Sequence, residues 1–193
     1  MRYSENNREQ ELVRLLKERD SSAMKEMYCQ YAEYLSAVCS RYIISQEDQR
    51  DILQDSFIKI FTSIDKFEYR DTGSLKAWAS RIVVNESLKF LKQNEKFSYI
   101  QKDEEVPDVI ADEDPDTEDV PAEIIQEMVR QLPAGYRTVF NLYVFENKSH
   151  KEIAQLLNIK EDSSASQLHR AKNILAKQIN QYKSVGNGRT VDK

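Results

Sequence analysis

Residues 132–175 read LPAGYRTVFNLYVFENKSHKEIAQLLNIKEDSSASQLHRAKNIL, and this stretch decides the fold. From Leu132 and Pro133 a helix runs through Val139, Phe140, Tyr143 and Val144. Ser149 with Glu152 three residues on then has the form of a capping box, a hydroxyl accepting from a free amide while a carboxylate reaches back. It opens a short helix through Leu157. Asn158 tolerates the left-handed conformation that ends a helix, and Ile159 can plug back into the core. A further helix from about Asp162 turns Leu168, Ala171 and Leu175 inward and Ser166, Gln167, His169, Arg170 and Lys172 outward. With small Ala154 where the two helices must approach, this is a helix-turn-helix pattern.

Outward from that stretch, the remaining chain is helical as well. The sequence has 193 residues with only 4 Gly and 4 Pro, and apolar residues recur at three- and four-residue spacing. That length suits two small helical domains and a connector. The connector announces itself by charge. Between Lys102 and Glu123 stand eleven acids against the single base Lys102, so the segment carries −10 of an overall −5 and the remainder is +5. With Pro107, Pro115 and Pro121 and little aliphatic content, it cannot bury enough apolar surface to fold alone. The expectation is an all-α chain: one domain over 1–100, an acidic flexible linker over 101–122, a second domain over 123–184 and a flexible tail over 185–193.

In the first domain, Leu12, Val13, Leu15 and Leu16 start a helix, and Asp20 or Ser21 can cap a second bearing Met24, Met27, Tyr31, Leu35, Val38 and Tyr42. A third, near 47–64, places Leu53, Phe57, Ile60 and Ile64 on one face, while Asp48, Asp51 and Asp55 project from another with Gln54 at its margin. That acidic face is either plain solvated surface or a docking face for a basic partner. Next comes a loop, Phe67 to Ser74, with Phe67, Tyr69 and Arg70. Such a loop either lids the core or stacks an extruded base and holds its phosphate. The helix that resumes at Leu75 carries Arg81, Asn85, Lys89 and Lys92 at helical spacing, with Trp78 and Ile82 anchoring its start. Cations at that spacing suit a phosphate backbone, and an amide among them can read a base edge.

Other chemistries find little support. Cys29 and Cys39 fall in one helix, about 15 Å apart along its axis and too far for a bridge. Two His without a neighbouring cysteine or carboxylate at ligand spacing give no metal signature. We see no phosphate-cradling glycine loop and no nucleophile-base constellation, so no enzyme and no cofactor are expected. No apolar run reaches the roughly 20 residues of a membrane span, and the polar start argues against a signal peptide, so a cytoplasmic location without membrane insertion is expected.

With these residues in view, the chain resembles the extracytoplasmic-function (ECF) group of sigma-70 factors, which keep regions two and four of the larger sigma proteins. Asp48 through Phe67, QRDILQDSFIKIF included, resembles the region-two helix that binds the clamp of the polymerase largest subunit, which implies contacts from Asp48, Asp51, Gln54 and Asp55. GSLKAWASRIVVNESLKFLK, residues 73–92, is similar to the segment that captures the non-template strand of the −10 element. The resemblance implies that Phe67, Tyr69 and Arg70 line a base pocket, with Asn85 beside it and Arg81, Lys89 and Lys92 on the backbone. Residues 132–175 resemble region four. This implies that Ser163, Ser166, Gln167, His169, Arg170 and Lys172 face the −35 element, with Arg137, His150 and Lys151 steadying the backbone. The implied partners are bacterial RNA polymerase core (clamp and flap), promoter DNA and an anti-sigma factor. The implied function is promoter-specific initiation, and the linker would mimic nucleic acid in the polymerase cleft. Three positions depart from the pattern: Ser164 stands where an apolar residue is usual, and Ala165 and Gln167 where basic residues are common, while the loop between Phe67 and Trp78 is longer than in some relatives. A free-standing helix-turn-helix regulator is the alternative.

Overall fold

The fold was obtained as a computed structural model, which describes residues 2–94, 117, 118 and 120–187, with side chains from residue 8 to residue 184. The chain forms two compact units that divide between Gln93 and Asn94. Among the described residues every regular element is helical.

The first unit holds α1 (Arg2–Lys17), α2 (Ser21–Ser40), α3 (Gln46–Ser63), a 3₁₀ turn at Ile64–Lys66 and α4 (Ser74–Gln93). Asp20 caps α2 by accepting from the Ala23 amide at 2.8 Å, and Ser45 caps α3 from the Asp48 amide. Ala23, Met27, Tyr31, Leu35 and Val38 make a continuous buried stripe on α2, against which α1, α3 and α4 pack. The buried face of α3 is Ile52, Ser56, Phe57 and Ile60, so Ile52 takes the core position expected for Leu53, which is half-buried. Leu75, Ala79, Val83, Leu88 and Leu91 supply α4, whose helical register leaves Trp78 and Ile82 half-buried at the edge of that stripe. Both cysteines are free, Cys29 exposed and Cys39 buried. Burial pushes the Cys39 thiol up, partly opposed by its contact with Ser87.

The second unit consists of α5 (Ala122–Gln131), α6 (Ala134–Val144), α7 (His150–Leu157) and α8 (Glu161–Asn187). Its core joins Val120, Met128, Val129, Leu132 and Tyr136 to Ala171, Leu175 and Ile179. Val120 thus belongs to this core and Ala122 already begins a helix, so the unit starts ahead of the expected boundary because an apolar valine can anchor to α8. At the other end α8 runs to Asn187, past the expected start of a tail, since no helix breaker precedes Gly186. The acidic stretch from Lys102 to Asp116 and the tail beyond Asn187 lie outside the described residues.

Candidate nucleic-acid interface

In the second unit the turn is built as its residues require. Ser149 accepts from the Glu152 amide while the Glu152 carboxylate accepts from the Ser149 amide at 2.9 Å, closing the capping box. Lys148, 2.9 Å from Glu152, and then the Ser149 bonds hold that carboxyl down at about 2. Asn158 takes the left-handed conformation, φ 57° and ψ 47°, ending α7 so that α8 can start at Glu161. On α8, Ser166 and His169 are exposed with Lys172, while Ser163 and Arg170 are half-buried. Lys151 is exposed on α7.

Three expected contacts change meaning. Arg137 is only 4% exposed and donates to the Arg130 carbonyl at 2.8 Å and the Leu132 carbonyl at 2.9 Å. It closes the end of α5 and does not reach outward to a phosphate, because helical register points position 137 at the preceding turn. Burial, then the charge of Arg130, lowers its pKa from the ordinary value. Gln167 is 4% exposed, next to buried Leu168, so it lies on the inner face of α8 and not on the outer one. Ser164, where the family pattern has an apolar residue, is fully buried, and its hydroxyl lies 3.0 Å from Nδ1 of His150. His150 in turn stacks on Tyr143, centroids 5.0 Å apart. Half-buried His150 therefore fixes the α7–α8 junction, a role the sequence reading missed.

In the first unit, Asp51, Gln54 and Asp55 are exposed along α3, and Asp48 is half-buried in its first turn. Arg81, Asn85, Lys89 and Lys92 are all exposed and line one side of α4. At the start of that stripe opens a cleft of about 390 Å³ lined by Phe67, Arg70, Asp71, Ser74, Trp78 and Arg81. Phe67 forms its floor. At 4% exposure, with its ring 5.1 Å from that of Trp78, it packs into the core and offers little open face for stacking. Arg70 is exposed and lines the cleft, whereas Tyr69, expected to line it too, is half-buried and not among its lining residues. Sequence reasoning missed Trp78 as a wall of this cleft. It also missed Glu86 between the stripe's cations: Glu86 pairs with Lys59 of α3 and lies 3.8 Å from Lys89. Among the described residues no cluster of His, Cys, Asp and Glu is placed to hold a metal, and no helix is long and apolar enough to cross a membrane.

Comparison with known proteins gives the same two blocks. The family described as Sigma-70 region 2 matches residues 27–97, and Sigma-70, region 4 matches residues 122–175, together about two thirds of the chain. The chain is 25% identical to the ECF RNA polymerase sigma factor SigW of Bacillus subtilis over 178 residues, covering 86% of this chain and 94% of that one. It is 26% identical to the ECF RNA polymerase sigma-E factor of Haemophilus influenzae over 182 residues, covering 89% and 95%. Among solved structures, the sigma factor RpoE in complex with the anti-sigma factor NepR from Bartonella quintana aligns with TM-score 0.47 and 20% identity, over 81% of this chain and 96% of that one. Both halves of a two-region sigma factor are present in order, and relatives of that kind match across nearly their whole length; the chain belongs to the ECF group of the sigma-70 family of RNA polymerase sigma factors.

Proposed function

We propose that this sigma factor divides its work between the two units. Residues 1–100 bind core polymerase and open the −10 element, residues 123–184 fix the −35 element, and the acidic segment between them threads the polymerase cleft as a nucleic-acid mimic. The observation that carries the reading is the pairing of opposite surfaces within one small unit. Exposed carboxylates on α3 (Asp51, Asp55) offer a docking face, while α4 presents a cleft continuous with a basic stripe. Asp48, Asp51, Gln54 and Asp55 meet the clamp of the largest subunit. An extruded base enters the cleft between Arg70, Trp78 and Arg81, with Phe67 as floor and Tyr69 in the adjoining loop. Asn85 reads an edge, and Lys89 and Lys92 take phosphates. Upstream, Ser163, Ser166, His169, Arg170 and Lys172 face the major groove, with Lys151 on the backbone.

Strand separation in this scheme is driven by binding energy, without catalysis, cofactor or ATP, and takes place in the cytoplasm. An anti-sigma protein holds the chain when polymerase is absent. The test is run-off transcription and pull-down with purified bacterial core polymerase, comparing wild type with an Asp51→Ala, Asp55→Ala double variant. Promoter-dependent transcripts and core retention, both weakened roughly tenfold or more in the variant, are expected. A variant that binds core as the wild type does would remove α3 from the interface. A symmetric operator footprint without polymerase would instead support a free-standing regulator.

A further inference from the structure

Glu9 on α1 is a carboxylate at 9% exposure whose two oxygens are both occupied by backbone amides far along the chain. Gly73 donates to one at 2.8 Å and Leu75 to the other at 3.0 Å. These are amides at the start of α4, where a helix leaves its first N–H groups without internal partners and where the helix dipole favours a negative charge. The intervening Ser74 amide donates to Asp71 at 3.1 Å, and the Ser74 hydroxyl donates to the same carbonyl at 2.7 Å. Glu9 thus completes a cap that the local sequence does not supply. The neighbouring Arg8 pairs with Glu26 of α2 at 3.0 Å on the exposed side of α1. The chain at Gly73 is in a left-handed conformation, φ +93°, which a glycine adopts without strain. The Glu9 charge is felt nearby: burial first, then Glu9 and Tyr69, push the Tyr31 phenol up to about 12.

The segment held in this way carries one wall of the cleft, since Arg70, Asp71 and Ser74 line it together with Trp78 and Arg81. We propose that Glu9 is a positioning residue for promoter opening: by clasping Gly73 and Leu75 it sets the shape of the cleft that receives the unstacked base, and so tunes which base is preferred there. The proposal rests on the assignment of that cleft to the −10 strand. A side chain on the first helix would thereby set specificity at a site it does not touch.

Glu9→Gln is the informative change, since it keeps the shape but replaces one acceptor with an amide that faces an N–H and cannot bond it. Full-length wild type and variant are each assembled with core polymerase. Binding is measured to a labelled single-stranded −10 oligonucleotide and to versions carrying an abasic site at each position in turn. Amide exchange at Gly73 and Leu75 is followed in the same proteins. Expected for the variant are exchange about tenfold faster at one of those amides and oligonucleotide affinity down roughly three- to tenfold. The loss should concentrate at one position, where the abasic site that weakens wild type no longer matters, with core affinity and −35 duplex binding unchanged. Faster exchange with the wild-type pattern of base discrimination overturns the proposal, and so does a loss of core binding, which would make Glu9 a general stabiliser of the unit. Wild type that itself ignores every abasic site sinks the cleft assignment and the proposal with it, an outcome read without the variant.

Discussion

Replacing Arg137 with alanine separates two readings of the same residue. Its guanidinium is buried and donates to the Arg130 and Leu132 carbonyls, the last acceptors of α5 and its cap, at 2.8 and 2.9 Å. A hydrogen bond to a charged donor contributes about 1.5–3 kcal/mol, and each buried carbonyl left bare costs about 1–3 kcal/mol. Because these overlap, and truncation also empties the space of a long side chain, the net loss for Arg137→Ala should be roughly 3–5 kcal/mol, a large share of a small domain's stability. Arg137→Met restores packing without donors and should recover about 1–2 kcal/mol of it. Urea unfolding of the full chain carries its own control. Trp78 is the single tryptophan and sits in the first unit, so its fluorescence transition should stay in place while part of the far-UV circular dichroism signal unfolds at lower urea. Had Arg137 been a phosphate contact, both transitions would stay put and DNA binding would weaken, with the salt slope falling by about 0.9. That outcome would refute the structural argument.

Two further results are expected. Asn85→Ala should change the preference of the polymerase complex at one −10 base, measured across single-base variants, whereas Lys89→Ala should weaken all sequences alike and lower the salt slope by somewhat less than the roughly 0.7 of a full single-strand contact, because Glu86 already engages Lys89; equal losses on every sequence from Asn85→Ala would contradict base reading. Glu152 has its pKa depressed to about 2 in the fold, so the stability it contributes is present above its unfolded value of 4.5 and lost as pH falls toward 2. The amides of α7 should lose exchange protection over that window in wild type but show no such step in Glu152→Gln, and an unchanged profile in both would deny the capping box a role.

What could be read in the sequence was whatever is signalled by neighbours. The capping box at Ser149 and Glu152, the left-handed Asn158 and a cap at Asp20 or Ser21 are local matches between adjacent backbone and side chain, and the structure has all three, the cap falling on Asp20. The apolar stripe of α2 follows from helical spacing alone. What escaped is set by distance or by fine register. Gln167 carries an exposed residue's chemistry, and only the rotation of α8 against its core neighbours turns it inward. Arg137 is typical of a DNA-facing cation until the end of α5 is seen to need a donor there. Ser164 departs from the pattern of the resemblance, and the partner that satisfies its buried hydroxyl, His150, sits on another helix fourteen residues earlier, where no local signal announces it. The pairing of Glu9 with Gly73 and Leu75 had no sequence signal, since it spans more than sixty residues.

The arrangement of charge in the first unit follows a similar logic of pairs. α3 presents Asp51 and Asp55 together with the cations Arg50 and Lys59, and α4 presents Arg81, Lys89 and Lys92 with one acid, Glu86. Lys59 and Glu86 meet. Lys59 donates to Glu86 across the α3–α4 contact, with the Glu86 side chain only 11% exposed. As a stabilising bond, an ion pair of this kind contributes at most about 1 kcal/mol. Its larger effect is on the field, because Lys59 offsets Glu86 where the two helices meet and so limits how far Glu86 weakens the positive stripe of α4. On the proposed function, with α3 against core polymerase and α4 along a nucleic-acid strand, that offset matters for the strand-facing side. Removing Lys59 alone would leave Glu86 to pull on Lys89 and dilute the positive stripe, so on the proposed function Lys59→Ala should weaken single-strand binding although α3 does not touch the strand, and unchanged affinity would contradict this coupling.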